Sequence, residues 1–517
     1  HNLRLKEKGE VVKKLIIILL AIILVQSSPL PAKAKTTGPD KKEIGRILAS
    51  LEQYAKELRQ EWGTPGMAIA IVRDGETIYA KGFGVKKLGG SDPVDTQTIF
   101  QIGSTSKAFT GVLAGMMKDE ERFSWKDKVI NHLPDFRMYG EWVTGQFMIQ
   151  DLMAQHSGMA SYAGDMQSEL GFDRKHIIGS IRYMKPASSF RSEFAYVNNL
   201  FLVVAKLIEK YTGKSWEENI KNRILKPLGM DDTTVTSDAF MQSENVTCLH
   251  SREDGKAVSV PKDSQSFSCY VYGPAGGINS NIIDMAKWLK FHINHGTLNG
   301  KRLIKEETLD FMQTPKTITG NLFIEGRSYY CQAWVYTEYN PYPIIWHNGE
   351  TNGNKTMIAI IPEAGIGIIV LSNMTECKMP EAVAARFFDL YFNNPLRDLN
   401  KEWVAKTKKR DKSEASSRKQ PSSIMPTSPY KNYAGAYKNP VYGDVKVISE
   451  NEALYMIMGP DKVKISLTHY NRDIFLADEP IDNFVSFYMG PDNISESFVI
   501  DLLKNDGNQL FPRVKEE

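Results

Sequence analysis

Residues 356–371 read TMIAIIPEAGIGIIVL: one apolar run, Thr356 to Ile361, and a second, Ile366 to Leu371, joined by Pro362-Glu363-Ala364-Gly365. Short apolar runs bounded by turn residues predict a hairpin of buried strands. The same pattern stands near the other end of this region. Met67 to Val72 and Thr77 to Ala80 flank Asp74-Gly75, a favoured hairpin dipeptide. Between and around the hairpins the spacing turns helical. In Lys41 to Trp62, residues Ile44, Ile47, Leu48, Leu51, Ala55 and Leu58 recur on one helical face. A second helix opens near Ser104 and runs to about Asp119. A third spans Asn198 to Tyr211 and stops at Thr212-Gly213; a fourth runs from Asp284 to Asn294 and stops before Gly296. First and last hairpins meeting in one antiparallel sheet, flanked by helices and completed by a helical subdomain, predict an α+β fold.

The bulk numbers narrow the function. A hydrophobic fraction of 42% supports a sizeable core. A formal net charge of +3 gives neither the basic field of a nucleic-acid binder nor the acidic bias of a disordered chain, so nucleic acid is not an expected partner. At the N-terminus, Lys13 and Lys14 precede an apolar run from Leu15 to Val25, then Pro29, Pro31 and Ala32-Lys33-Ala34. That order of basic, apolar and small residues reads as a secretory leader over residues 1–34, of bacterial style, with translation expected to start at Val11 or Val12. The apolar run falls short of the roughly 20 residues of a spanning helix. A secreted or cell-envelope location follows, with membrane anchoring by an uncleaved leader as the alternative. The cysteines Cys248, Cys269, Cys331 and Cys377 form no C-x-x-C pair. Neither a zinc ribbon nor a thioredoxin-like site is supported, and no metal or organic cofactor is expected. A Cys248–Cys269 disulfide and buried free thiols both stay open.

Composition also divides the chain. Residues 41–397 hold the α+β region. Residues 398–428 are rich in Lys, Arg, Ser and Pro and read as an exposed flexible linker. Residues 429–517 alternate short apolar runs (Val445 to Ile448, Leu454 to Met458, Val463 to Leu467, Phe484 to Met489) with turn residues, which predicts a small antiparallel β-barrel or sandwich. This segment is expected to fold separately and to cover or gate the cleft.

The chemistry concentrates at Ile102-Gly103-Ser104-Thr105-Ser106-Lys107-Ala108-Phe109. Residues three apart share a helix face, so the Lys107 amine can reach the Ser104 hydroxyl. Serine needs a neighbouring base, and a lysine in a dry pocket can lose its proton near neutral pH. The helix N-terminus offers N–H groups where an oxyanion would form. The spacing recurs at Ser259/Lys262, Ser416/Lys419 and Ser428/Lys431, but only Ser104 heads a convincing helix. Two later elements complete the set: Tyr196-Val197-Asn198 before the third helix, and His347-Asn348-Gly349 ahead of the second hairpin.

The ordered set S-x-x-K, Y-x-N and K/H-x-G resembles the serine β-lactamase and penicillin-binding protein superfamily, in particular its branch of class C β-lactamases, D-alanyl-D-alanine carboxypeptidases, D-aminopeptidases and esterases. The resemblance extends over about Lys41 to Asn394, through Gly63-Thr64-Pro65-Gly66, His156-Ser157-Gly158-Met159, Lys226-Pro227-Leu228-Gly229-Met230 and Pro274-Ala275-Gly276-Gly277. Tyr433-Ala434-Gly435-Ala436-Tyr437 is similar to the start of accessory barrels on some of these enzymes. The resemblance implies a β-lactamase-like fold with Ser104 as acylated nucleophile, Lys107 as proton acceptor and Tyr196 as second acid/base. It implies Asn198, His347 and Gly349 as substrate-binding, and the backbone N–H groups of Ser104 and Glu350 as an oxyanion hole. His347 stands where lysine is common, and Asn348 where threonine or glycine is, which weakens the expected grip on a substrate carboxylate. Each residue has a structural alternative: Ser104 and Asn198 as helix caps, Tyr196 as a core aromatic, His347 as a strand residue. His156 is read as structural, with no acidic partner identifiable in the sequence. The implied activity is hydrolysis of a peptide, amide, ester or β-lactam through an acyl-enzyme, with a small-molecule or peptide substrate that includes peptidoglycan among its candidates. The alternative is a degenerate penicillin-binding or peptidoglycan-sensing module without turnover.

Overall fold

Lys41–Trp62 forms helix α1, with Asp40 capping the Glu43 N–H and Gly63 closing the other end at φ 69°. The computed structural model describes residues 38–514 apart from 254–255, 262–267, 323, 325, 418, 422, 426 and 505–506. The leader, Lys13 to Ala34, lies outside the described residues. Among the described residues no helix is long and apolar enough to cross a membrane.

The two hairpins meet as expected. Strands β1 (Gly66–Arg73) and β2 (Glu76–Gly84) form the first. After β3 (Thr317–Ile318), β4 (Ser328–Tyr330), β5 (Val335–Thr337) and β6 (Ile344–Glu350) come β7 (Lys355–Ile361) and β8 (Ile366–Ser372). All are antiparallel in the order β2-β1-β8-β7-β6-β5-β4-β3, with Met67 opposite Ser372 and Arg73 opposite Ile366 where first and last hairpins join. Successive strand residues point to opposite faces, and the apolar runs here serve both. Met67, Ile69 and Ile71 of β1 enter a core with α1 and with α5 (Met379–Tyr391). Ala68, Ala70 and Val72 enter a second core with α2 (Ser106–Asp119) and α4 (Ile282–Ile293). Unbroken apolar strands with helices on both faces are the result, which is why these runs do not alternate with polar residues.

Helix α2 is buried on every side from Ser106 to Met117. A helix without a polar face belongs inside a core, and α2 packs against α3 (Asn199–Thr212), the central helix of the subdomain.

The C-terminal segment is an eight-stranded antiparallel sheet, β9 (Gly435–Asn439) to β16 (Leu510–Pro512), in sequential order. It curls into a nearly closed barrel, with Val514 N–H donating to the Ala436 carbonyl at 2.8 Å across the seam. Inward residues such as Tyr437, Val447, Met456, Phe487 and Phe498 fill it. Contrary to the expectation of a separate unit, its apolar core is continuous with that of the helical subdomain through Leu170 and Phe172. His176 Nε2 pairs with the Val441 carbonyl at 3.1 Å.

Most of residues 398–428, expected as a flexible linker, is helical instead. Leu399–Ser417 forms a helix, α6. Lys, Glu, Ala and Arg are strong helix formers, and its first two turns set Leu399, Trp403 and Val404 against the core of α1 and α5. Low apolar content reported its exposed faces, not the absence of structure. All four cysteines are free thiols, so Cys248 and Cys269 are unpaired.

Asn400 anchors this helix. It is 3% exposed, accepts from the Trp62 indole N–H at 2.6 Å and donates to Glu61 at 2.6 Å. Asn400→Ala strands a buried donor, a cost of about 1–3 kcal/mol. The melting temperature is expected to fall by a few degrees with the far-ultraviolet circular dichroism unchanged; an unaltered melting curve would contradict this anchoring role.

Candidate active site

Ser104 sits in a single 3-10 turn, Gly103–Thr105, that runs directly into α2. It lies inside that turn, one residue before the Thr105 cap of α2, and its hydroxyl pairs with Lys107, so it is not the plain helix cap. Two glycines let strand β6 lie against this turn. Gly103 has φ +53°, and a Cβ there would meet the Glu350 backbone nitrogen at 2.6 Å. A Cβ on Gly349 would meet the Ile102 carbonyl at 2.0 Å. Thr356 of β7 fixes the approach by donating to the Ile102 carbonyl at 2.9 Å. The Glu350 N–H therefore borders the turn that carries the Ser104 N–H, the pair expected to form an oxyanion hole.

Lys107 is fully buried. Its Nζ lies 3.0 Å from Ser104 Oγ, 2.7 Å from Asn198 Oδ1 and 2.9 Å from the Ala275 carbonyl. It also lies 4.7 Å from the centre of the Tyr196 ring and 5.3 Å from that of Phe201. Burial lowers the Lys107 pKa to about 7, against the opposing pull of the Asp165 carboxylate. A large part of the amine is therefore neutral near pH 7. In that form its lone pair is free to face the Ser104 hydroxyl while its two hydrogens stay on Asn198 and Ala275.

Tyr196 and Asn198 are delivered together. The Gln155 side chain pairs with both backbone groups of Val197, accepting its N–H at 2.7 Å and donating to its carbonyl at 3.2 Å. The flanking side chains are thereby set into the cleft. Burial raises the Tyr196 pKa well above the usual phenol value, with the neighbouring Ser104 hydroxyl pulling it the other way, so it keeps its proton at neutral pH. Asn198 makes no helix-cap bond. Its Oδ1 takes Lys107 and its Nδ2 donates to Asp165 at 2.7 Å, which leaves one amide hydrogen for a substrate.

His347 departs from expectation. It lines the cleft but is only 2% exposed. Its Nδ1 lies 2.5 Å from the Asn348 carbonyl, which can only accept, so Nδ1 carries the proton. Nε2 then accepts from the Tyr330 hydroxyl at 3.0 Å. Both nitrogens are used within the protein, and burial lowers the pKa to about 3. The ring is a neutral wall of the cleft, with no hydrogen bond left for a substrate carboxylate.

The remaining lining was not legible from motifs. The cleft is about 500 Å³ and includes Tyr162, Asp165, Phe194, Tyr330, Lys355 and Lys378. Glu350 accepts from Thr375 at 2.5 Å, from the Glu376 N–H at 2.7 Å and from Lys355 at 2.5 Å. Burial alone would raise its pKa, but these partners hold it at about 2. Asn348 donates to Glu381 at 3.0 Å. A lysine at the head of the apolar run in β7 was the only sequence hint of this network. His156 does have an acidic partner, Asp151 at 2.9 Å, which also takes Arg191 at 2.6 Å. Neither His156 nor Asp151 lines the cleft. No barrel residue lines it either, so the expected covering of the cleft by that domain is not seen among the described residues. His295, Glu306 and Asp310 are the grouping with metal-ligand chemistry among the described residues, and they lie outside the cleft.

A family model described as Beta-lactamase matches residues 51–387, well over half of the chain, and a domain of unknown function (DUF3471) matches residues 419–511. Unguisins hydrolase ungD' of Aspergillus campestris is 27% identical over 82% of this chain and 83% of its own length. Protein flp of Staphylococcus aureus is 26% identical over 63% of this chain and 62% of its own. Among solved structures, the octameric penicillin-binding protein homologue from Pyrococcus abyssi superposes with a TM-score of 0.60 at 23% identity, over 90% of this chain and 99% of that one. The chain belongs to the Beta-lactamase family, a group of serine hydrolases, and carries that family's fold.

Proposed function

We propose that this protein is an exported hydrolase that forms a covalent ester between Ser104 Oγ and the acyl group of a peptide, amide or ester, and then releases it to water. The observation that carries the reading is the Lys107 amine, dry, 3.0 Å from Ser104 Oγ and with its pKa brought to about 7. In acylation the neutral amine takes the Ser104 proton as Oγ attacks the carbonyl carbon. The charge that develops on the carbonyl oxygen falls to the backbone N–H groups of Ser104 and Glu350. Tyr196 gives its proton to the leaving amine or alcohol, and the proton on Lys107 replaces it. Deacylation reverses these transfers with water in place of the leaving group.

Cell-wall-related peptides, D-amino-acid peptides among them, are the substrates we favour. Support comes from the ordered set of Ser104 and Lys107, Tyr196 and Asn198, and His347 and Gly349, which resembles that of penicillin-recognising enzymes. Export is supported by the leader sequence from Lys13 to Ala34. A neutral His347 favours substrates uncharged at that wall over carboxylate-bearing penicillins. A sensing module without turnover has no use for a deprotonated lysine beside its serine.

A serine-reactive phosphonate should add one adduct, located on Ser104 by peptide mass spectrometry and absent in Ser104→Ala. Labelling that persists in the variant would refute the nucleophile.

The pH dependence follows from Lys107. Below its pKa the amine is protonated and cannot take the Ser104 proton, so kcat/KM for a neutral ester is expected to be lost as pH falls through about 7. Tyr196 keeps its proton well past the usual phenol range, so the alkaline side should stay flat until high pH. Lys107→Ala should lower kcat/KM by about 10²–10⁴-fold and abolish the acid limb. An unchanged acid limb in that variant would assign the titration to another group.

A further inference from the structure

Segments 155–162 and 187–196 are laced into a ribbon that leads away from Ser104. Tyr162 N–H donates to the Tyr196 carbonyl at 2.7 Å, Ala195 N–H to Gln155 at 2.9 Å and Arg191 N–H to His156 at 2.8 Å. Ala187 and Ser188 both donate to the Gly158 carbonyl, at 2.9 and 3.1 Å. Asp151 braces the ribbon from below by holding His156 and Arg191. One end supplies Tyr162 and Tyr196 to the cleft. The other borders a second depression of about 550 Å³, lined by Tyr139, Trp142, Val143, Met159, Met184 and Phe190 with small uncharged neighbours. Trp142 is 70% exposed and Tyr139 53%, an uncovered aromatic rim of the kind that marks a binding surface.

A third concavity joins the two. It shares Phe194 with the cleft, and Met159 and residues 186–188 with the aromatic pocket. Its walls are polar: Ser161, Lys185, Ser188 and Glu193 from the hydrolase region, and Lys504 from the barrel. Polar walls lose hydration against an alkyl chain but can hydrogen-bond a peptide backbone.

We propose that these adjoining depressions form one extended groove for an oligopeptide substrate. The bond cleaved lies at Ser104, the backbone crosses the polar stretch beneath Lys504, and a hydrophobic residue remote from that bond lodges at Tyr139 and Trp142. The continuity of the groove with the cleft makes the substrate the occupant, and it gives the barrel a role at the groove's edge. The inference rests on the hydrolase reading above.

The test uses the full chain and p-nitrophenyl esters of acetyl-D-alanine, extended stepwise at the amino end and terminated in phenylalanine or glutamate. A matched set of amides carries the extensions on the leaving-group side. In one of the two sets, kcat/KM should rise about tenfold once phenylalanine reaches the pocket, with no rise for glutamate. The surface substitutions Tyr139→Ser and Trp142→Ser together should erase that rise and leave the unextended ester unchanged. No gain at any length in either set, a gain that survives the double substitution, or an equal loss on the short ester would overturn the groove. A Trp142-dependent dimer in sedimentation would assign the pocket to a second copy instead. Failure of the hydrolase reading looks different: no ester is turned over and Ser104 takes no phosphonate. Anisotropy of the dye-labelled, phenylalanine-ended peptide, with and without the double substitution, then reads the groove independently of turnover.

Discussion

A lysine amine held out of water is the constraint on which the rest depends. Lys107 is the charged side chain in the fully buried stretch of α2, and an ammonium ion in that setting is costly unless it is paired or gives up its proton. The protein takes a middle course. Ser104, Asn198 and the Ala275 carbonyl supply three hydrogen-bond partners, and Asp165 supplies a nearby negative charge. Burial outweighs that charge and brings the pKa to about 7. A stronger counterion would lock the proton on; with no counterion the charged form would be driven further toward neutrality. The amine is left poised near neutral pH because neither term dominates fully.

The second requirement is approach. An oxyanion hole built from two backbone N–H groups needs a strand end to touch a helical turn, and side chains of ordinary size would hold them apart. Gly103 and Gly349 remove those side chains where the backbones meet, and Thr356 ties the contact. The network of Glu350, Lys355, Thr375 and Glu381 then fixes the end of β6. The buried Lys355 ammonium is tolerated there because it pairs with Glu350 and Glu381.

Much of the fold was open to reading because its signals are local. The hairpins at residues 66–84 and 355–372, helix α1 and the stop at Gly213 follow from apolar spacing and turn residues alone. Helix α6 reads as a linker because a polar sequence with good helix propensity has that composition; what separates the two is the anchoring of its N-terminal end by Trp62 and Trp403. Asp165, Gln155 and Tyr330 escaped notice because nothing in their local sequence signals a role. Gln155 matters only because Val197, distant in sequence, lies beside it.

The sequence by itself singled out the groups proposed to react: Ser104 and Lys107 about one helical turn apart, Tyr196 and Asn198 straddling one residue, and a glycine where a strand must pass close. These are short-range facts, set by helical and strand periodicity. Only the tertiary structure decided their chemical state. Whether Lys107 can lose its proton near pH 7, Tyr196 keep its own and His347 stay neutral depends on water exclusion and on partners such as Ala275, Asp165 and Tyr330, brought together from distant parts of the chain. Desolvation and charge act through space rather than along the chain, so a linear reading can name the groups but not their protons.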